Sequence, residues 1–378
     1  MYNTTTLSKK WMTLAVAAFC LTPAVAQETE WEAQTRITGY IATEANYFHD
    51  LEGTYKQYGV SLSEAGLLTS YQPTSNITIK GVFVYRPDLT IDQMINEANA
   101  EWKATSFLNV KVGRFLTPLS PMNTYYYAPV NNSATLPFVI SHHEFFPLNM
   151  DAVSINGVVG ENIRFDYDLF AGGYRNALWL KTGPVGLFGT EDEYYGALEK
   201  IGYKLNTSSA NQALSFGGGA HAGVSFDEYF TIGANVMLSD KEKASTTFDN
   251  PYDPANPFII DLDVNRIAYG LNFKAKYNNL QLLGEVWKNE MNFKNEAFNL
   301  DNDYNVNCSF IEVSNNFGKL IPYVRFEYHD AAGVEYNRYT TGINYKPIFE
   351  TTLKLEYLYY QHDIKDINGF VASVIYSF

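Results

Sequence analysis

From Arg36 to the C-terminus the chain repeats one pattern, runs of about ten residues in which apolar and polar positions alternate with period two. In IRFDYDLFA, Ile163, Phe165, Tyr167 and Leu169 share one face of an extended segment, while Arg164, Asp166 and Asp168 share the other. LKLEYLY sets Leu353, Leu355, Tyr357 and Tyr359 against Lys354 and Glu356, and YVRFEY sets Val324, Phe326 and Tyr328 against Arg325 and Glu327. IAYGLNFKAKY opposes Ile267, Tyr269, Leu271 and Phe273 to Asn272, Lys274 and Lys276. The closing FVASVIYSF puts Phe370, Ala372, Val374, Tyr376 and Phe378 together.

A single strand of this kind also suits a soluble sandwich. Repetition over the whole chain, with charges on the polar face of strand after strand, predicts a closed barrel with an apolar outside and a wet inside. The predicted fold is all-β, a transmembrane antiparallel β-barrel of about sixteen strands (range fourteen to eighteen). Strands are expected near 36–48, 56–70, 76–86, 92–103, 107–116, 148–158, 162–171, 212–226, 229–239, 265–277, 280–291, 304–314, 320–330, 336–346, 351–362 and 368–378. EYYGALEKIGYKL is also strand-like, and admitting it alone makes the number odd. QPTSN, Asn278-Asn279, SNNFGK and KPIFE read as short turns, whereas 117–147 and 239–257 read as long loops. Short periplasmic turns and long extracellular loops are the asymmetry such barrels show.

Lys9 and Lys10 precede the apolar run WMTLAVAAFCL, then Pro23 and the small-x-small triplet Ala24-Val25-Ala26. That order predicts a signal peptide over 1–26, a short periplasmic segment over 27–35 and a barrel over 36–378 in the outer membrane. Its removal leaves Cys308 alone, so no disulfide forms within the mature chain. It also leaves 25 basic against 41 acidic residues, a net charge of −16, which argues against nucleic acid as a partner. With 29 Tyr and 25 Phe the chain is 16% aromatic, yet its mean hydropathy is slightly negative. Interleaved apolar and polar positions cancel in such an average.

The terminal YSF resembles the last strand of Gram-negative outer-membrane barrels, and KVGRFLTPLSP resembles the strand-to-loop passage of the porin O and P (phosphate-selective porin) family. Abundant aromatics and Asn-rich loops resemble proteins of Bacteroides-like bacteria. The resemblance implies a homotrimer in outer-membrane lipid and lipopolysaccharide, without cofactor. It also implies assembly by the barrel machinery, with Tyr376 and Phe378 as the signal. Phosphate-selective members use an arginine ladder, whereas here bases and acids mix and 117–147 holds no Lys or Arg.

If the apolar faces meet lipid, the opposite positions line the lumen. The basic ones are Arg36, Lys80, Arg86, Lys103, Lys111, Arg164, Arg266, Lys274, Lys276, Arg325, Arg338, Lys346 and Lys354. The acidic ones are Glu44, Glu101, Asp166, Asp168, Glu285, Glu327 and Glu356. A basic surplus inside an acidic protein predicts some preference for anions, although a one-residue slip would exchange the faces of any strand. The segment 117–147, with five prolines, Tyr125, Tyr126, Tyr127 and LPFVI, is the expected constriction loop.

Other clusters carry less chemistry. His142, His143 and Glu144 are metal-ligand types, but adjacent residues of an extended segment point apart. Asp301, Asp303, Asn305, Asn307 and Glu312 match calcium-loop offsets, except that Val306 stands where a Gly is required. His49-Asp50, His329-Asp330 and His362-Asp363 sit at strand ends, as in omptin-type barrel proteases, but the spacing yields no nucleophile-base set. The sequence thus favours a porin passing small polar solutes without catalysis. A plugged adhesive or structural barrel and an omptin-like enzyme stay as alternatives.

Overall fold

A computed structural model of the protein describes residues 32–50, 56–87, 89, 91–124, 127–141, 145–175, 204–205, 214–249, 252–253, 255–256, 258–295, 300–331, 334–362 and 366–378. The segment 1–26 and most of 27–35 lie outside them. The strands are β1 Gln34–Asp50, β2 Lys56–Thr74, β3 Ile77–Tyr85, β4 Ile95–Lys103, β5 Asn109–Leu116, β6 Asn149–Val159 and β7 Ile163–Arg175. They continue as β8 Lys204–Leu205, β9 Leu214–Phe226, β10 Phe230–Asp249, β11 Phe258–Tyr277, β12 Leu280–Asn295 and β13 Leu300–Asn315. The last four are β14 Leu320–Ala331, β15 Val334–Ile348, β16 Thr351–His362 and β17 Ile367–Ser377.

Each strand pairs antiparallel with its neighbour in sequence, β7 passing directly to β9, and β17 returns to β1 through Tyr40↔Ser377 to Asp50↔Ile367. Among the described residues the result is a closed ring of sixteen strands, the number expected. The two-residue β8 stays outside the ring, against Phe248 and Asp249 at the far end of β10. It is the described part of EYYGALEKIGYKL. Closure satisfies every edge, which is what allows strands to cross a membrane.

The alternation read from the sequence maps onto the two faces. Val324 and Leu355 are 54% and 53% exposed on the outside, whereas Arg325, Glu327 and Glu356 are buried on the inside. Along one rim the turns are tight, and Asp227 and Asn278 take left-handed φ of 47° and 51° there, a conformation Asp and Asn tolerate. In one such turn Lys276 Nζ lies 2.6 Å from Glu228, and this hydrogen bond holds the Glu228 carboxyl below its ordinary range.

Two expectations need correction. The segment 239–257 is not all loop, because β10 continues to Asp249 and β11 begins at Phe258. A strand projecting beyond the membrane has water on both faces and loses the apolar alternation by which it would be found. Bulges also interrupt the simple alternation. Ala42 pairs with Glu64 but Thr43 with Leu62, which leaves Ser63 as the extra residue. Similar shifts lie between Val82 and Phe83 and between Ser239 and Glu242.

Candidate functional site: a loop docked across the barrel

The loop between β5 and β6 carries two single helical turns, Pro121–Thr124 and Phe138–Ser141. Its neck is closed by Thr117 N to Leu148 O (3.0 Å) and by Asn123 Nδ2, which donates to Thr117 O and Leu148 O at 2.8 and 3.2 Å. From there it does not fold outward. Phe145 and Phe146 pack on the Trp287 ring of β12, with centroids 5.9 and 4.9 Å away, and Leu119, Met122, Val139 and Ile140 are buried in the same apolar cluster. A segment without Lys or Arg, rich in Pro and apolar residues, gains more from this burial than from exposure to water.

Polar groups then fix it to the wall. Glu285 accepts from Ser120 Oγ (2.7 Å), Met122 N (3.3 Å) and Trp287 Nε1 (2.9 Å). Glu64 accepts from Ala128 N (3.0 Å) and from the Tyr40 hydroxyl. Tyr127 OH donates to Glu97 (3.3 Å). Glu356 accepts from Ala134 N, Thr135 N and Thr135 Oγ1 (2.7, 3.1 and 2.9 Å) and from the Tyr323 hydroxyl. Glu327 accepts from Phe138 N (2.8 Å).

Cations take the loop's carbonyls. Lys354 Nζ donates to Ala128 O, Asn131 O and Ser133 O at 2.8, 2.6 and 2.9 Å, using all three of its hydrogens. Arg325 reaches Thr135 O (3.0 Å) and Ser133 Oγ (2.7 Å), and Arg338 reaches Leu136 O (2.6 Å). Arg325 also pairs with Glu312 (3.4 Å) and Glu327 (3.0 Å), and Arg338 holds Glu327 at 2.5 and 2.8 Å. Three cations, Arg325, Arg338 and Lys354, thus face three carboxylates, Glu312, Glu327 and Glu356, all buried. Buried charges require such mutual compensation. Because β14 to β16 stand opposite β5 and β6 in the ring, the loop spans the lumen from wall to wall.

A cavity of about 260 Å³ remains beside the loop, against β17, β1 and β2. It is lined by Glu44, Glu64, Arg86, Arg338, Lys354 and Ser373 of the wall and by loop residues that include Ala128, Asn131 and Ser133 to Leu136.

Of the residues expected in the lumen, Arg325, Glu327, Arg338, Lys354 and Glu356 come together at the docked loop. Glu285 joins them through Ser120 and Met122, Glu44 and Arg86 line the cavity beside the loop, and others lie apart from it. Asp166 Oδ2 is 2.7 Å from His221 Nε2, Asp168 accepts from Ser154 Oγ at 2.7 Å, and Lys111 Nζ lies 5.3 Å from the Phe115 ring centre. Arg164 donates to Asp227 O (3.0 Å), Lys274 is half-buried, and Arg36, Lys80 and Lys103 are exposed. Of the expected loop residues Tyr127 is buried, while Tyr125, Tyr126, His142, His143 and Glu144 lie outside the described residues. His329 is buried between Phe138 and Tyr336, with ring centres 5.9 and 4.5 Å away, rather than standing at an open lip. Asp301 to Glu312 form the extended strand β13, so their carboxylates do not converge as in a calcium loop.

Sequence reading missed Glu64, Glu97, Glu242 and Glu312 among the inward acids. Bulges displace the first three from simple alternation. Glu312 follows regular alternation with Ile311 and Val313, which was the available sign. Counting these four, the inward acids come to within two of the expected bases.

No known family profile and no curated protein matches the chain. Solved structures match over nearly the whole length. An anion-selective porin from Comamonas acidovorans superposes with a TM-score of 0.59 at 11% identity, over 92% of this chain and 100% of that one. OmpT, an outer membrane protein of Vibrio cholerae, gives 0.58 at 13% identity over 93% and 100%. OmpF of Salmonella typhi, in complex with daunomycin, gives 0.58 at 11% identity over 91% and 97%. The chain therefore has the fold of Gram-negative outer-membrane porins. At such identities the likeness is one of fold, and function has to be argued from the site.

Proposed function

We propose that the protein is an outer-membrane porin whose channel is narrowed by the docked 117–147 loop and passes small polar solutes by diffusion. The observation that carries this reading is the loop's anchorage across the lumen by Lys354, Arg325, Arg338, Glu327 and Glu356, beside a passage lined by Glu44 and Arg86. A barrel of sixteen strands leaves room for water, and the loop fills only part of it. The cations of the anchorage are committed to carboxylates and carbonyls. The anion preference expected from charge counting is therefore weak, and selectivity rests on Arg86 and Glu44.

The neighbours' folds support the outer membrane as the location, and a structure of OmpT described as a trimer form supports a homotrimer. Phe378 exchanges backbone hydrogen bonds with Gly39 at 2.9 Å in both directions, and Tyr376 is exposed on the outer face. Both are available to the assembly machinery as its signal.

The test is single-channel conductance of the refolded mature protein in a planar bilayer. Steady ohmic steps support a porin, and silence from correctly folded protein overturns it in favour of a plugged barrel.

A further inference from the structure

We infer that His221 is a selectivity-determining residue of the channel, a point charge on the inner wall that a single proton switches on and off. The inference rests on the porin reading and adds pH as a control over which ions pass. His221 lies five residues from the end of β9 and Asp166 three residues into β7, toward the tight-turn rim. Their side chains keep 17% and 33% of their surface exposed on the inner face, where lumen water reaches them.

The wall is shaped for this pair. Nε2 of His221 lies 2.7 Å from Asp166 Oδ2, and Nδ1 lies 2.7 Å from Asn235 Oδ1 of β10. A Cβ at Gly223 would fall 2.7 Å from the Asp166 carboxylate oxygens, and one at Gly233 would fall 2.8 Å from His221 Cε1. Gly223 of β9 and Gly233 of β10 thus let both side chains lie flat against the strands.

The same contacts serve both protonation states. An imidazolium donates from both nitrogens, to the Asp166 carboxylate and to the Asn235 oxygen. A neutral ring donates from Nε2 to Asp166 and accepts at Nδ1 from the Asn235 amide nitrogen once that amide has turned over. Exchange of the proton therefore needs no rearrangement of the barrel, and only the charge changes.

That charge counts because its surroundings are acidic. Asp168 stands directly across from His221 in the register of β7 with β9, and accepts from Ser154 Oγ of β6. Lys111 of β5 and Glu101 of β4 act electrostatically on Asp168, and Glu285 of β12 interacts with His221 itself. With the proton in place, two cations (His221 and Lys111) face four carboxylates (Asp166, Asp168, Glu101 and Glu285). Without it one cation faces the same four. An excess of one sign on a confined wall concentrates the opposite ions, so rising pH favours cations.

The test is the reversal potential of the refolded wild-type channel in a planar bilayer under a fixed KCl gradient, followed from about pH 5 to pH 8, where histidine titrates. A single-proton step toward cation preference is expected as the pH rises. His221→Gln keeps a donor for Asp166 but has no proton to lose, and it should abolish the step without changing the mobility of the folded species on a semi-native gel. His221→Asn repeats the comparison with a shorter amide, so that a folding defect in one variant leaves the other. Titration of the carboxylates is common to all three proteins and cancels between them. A step that persists in either folded variant, or a wild-type reversal potential that does not move with pH, overturns the inference and leaves the porin reading intact. Absence of any current from folded protein overturns both.

Discussion

Glu327 shows how a single side chain sets the whole site. One carboxylate receives two guanidinium groups and the Phe138 amide, so its removal leaves Arg325 and Arg338 facing each other in a buried setting. We expect Glu327→Ala to cost about 3–5 kcal/mol, the usual penalty for orphaning buried charge. The loss is readable as a lower temperature at which the folded, fast-migrating species disappears on a semi-native gel. Gly270 is limiting for a different reason. A Cβ there would fall 2.4 Å from the Trp287 indole, on which Phe145 and Phe146 rest. Gly270→Ala should therefore destabilise by about 1–3 kcal/mol, as overpacking does, checked on the same gel. Arg325, Glu327, Lys354 and Glu356 were visible as inward residues because their strands alternate without interruption. Glu64 was not, because Ser63 adds one residue to β2 and turns the following side chains over. A bulge has no composition of its own, so alternation alone cannot announce it.

At the scale of elements, the strands were legible wherever lipid faces one side and water the other. They became illegible where that asymmetry ends. The second half of β10 is strand by pairing with β11 yet reads DKEKASTTFD, a loop-like composition, because no lipid selects apolar partners there. The 117–147 loop was recognisable as unusual from its prolines and missing bases, but its partners were not, since each lies on a strand remote in sequence. Excising it gives the sharpest prediction at this scale. Joining Leu116 to Asn149 through a short Gly-Ser turn should preserve the barrel and raise single-channel conductance severalfold, with unchanged gel mobility as the control. Conductance that stays unchanged would mean that the current does not pass beside the loop.

For the whole molecule, the balance of charge matters more than its sum. The chain is acidic, with a formal net charge of −14, yet among the described residues acids and bases nearly match on the inner face, and the loop engages much of both. A KCl gradient should therefore produce only a small reversal potential. Arg86→Glu should move it toward cation preference, because that residue lines the cavity beside the loop, where it lies 3.9 Å from Glu64. Closure of the ring has a further consequence, in time rather than in space. The last contact, Tyr40 with Ser377 and Gly39 with Phe378, joins residues from the two ends of the chain. Such distant pairing carries the largest loop-closure entropy and forms slowly. Until β17 is in place, β1 and β16 each present an open edge able to template another chain. The protein that is inert once closed spends its youth as an adhesive ribbon, and a carrier that shields those edges in transit is as much a condition of the pore as any residue that lines it.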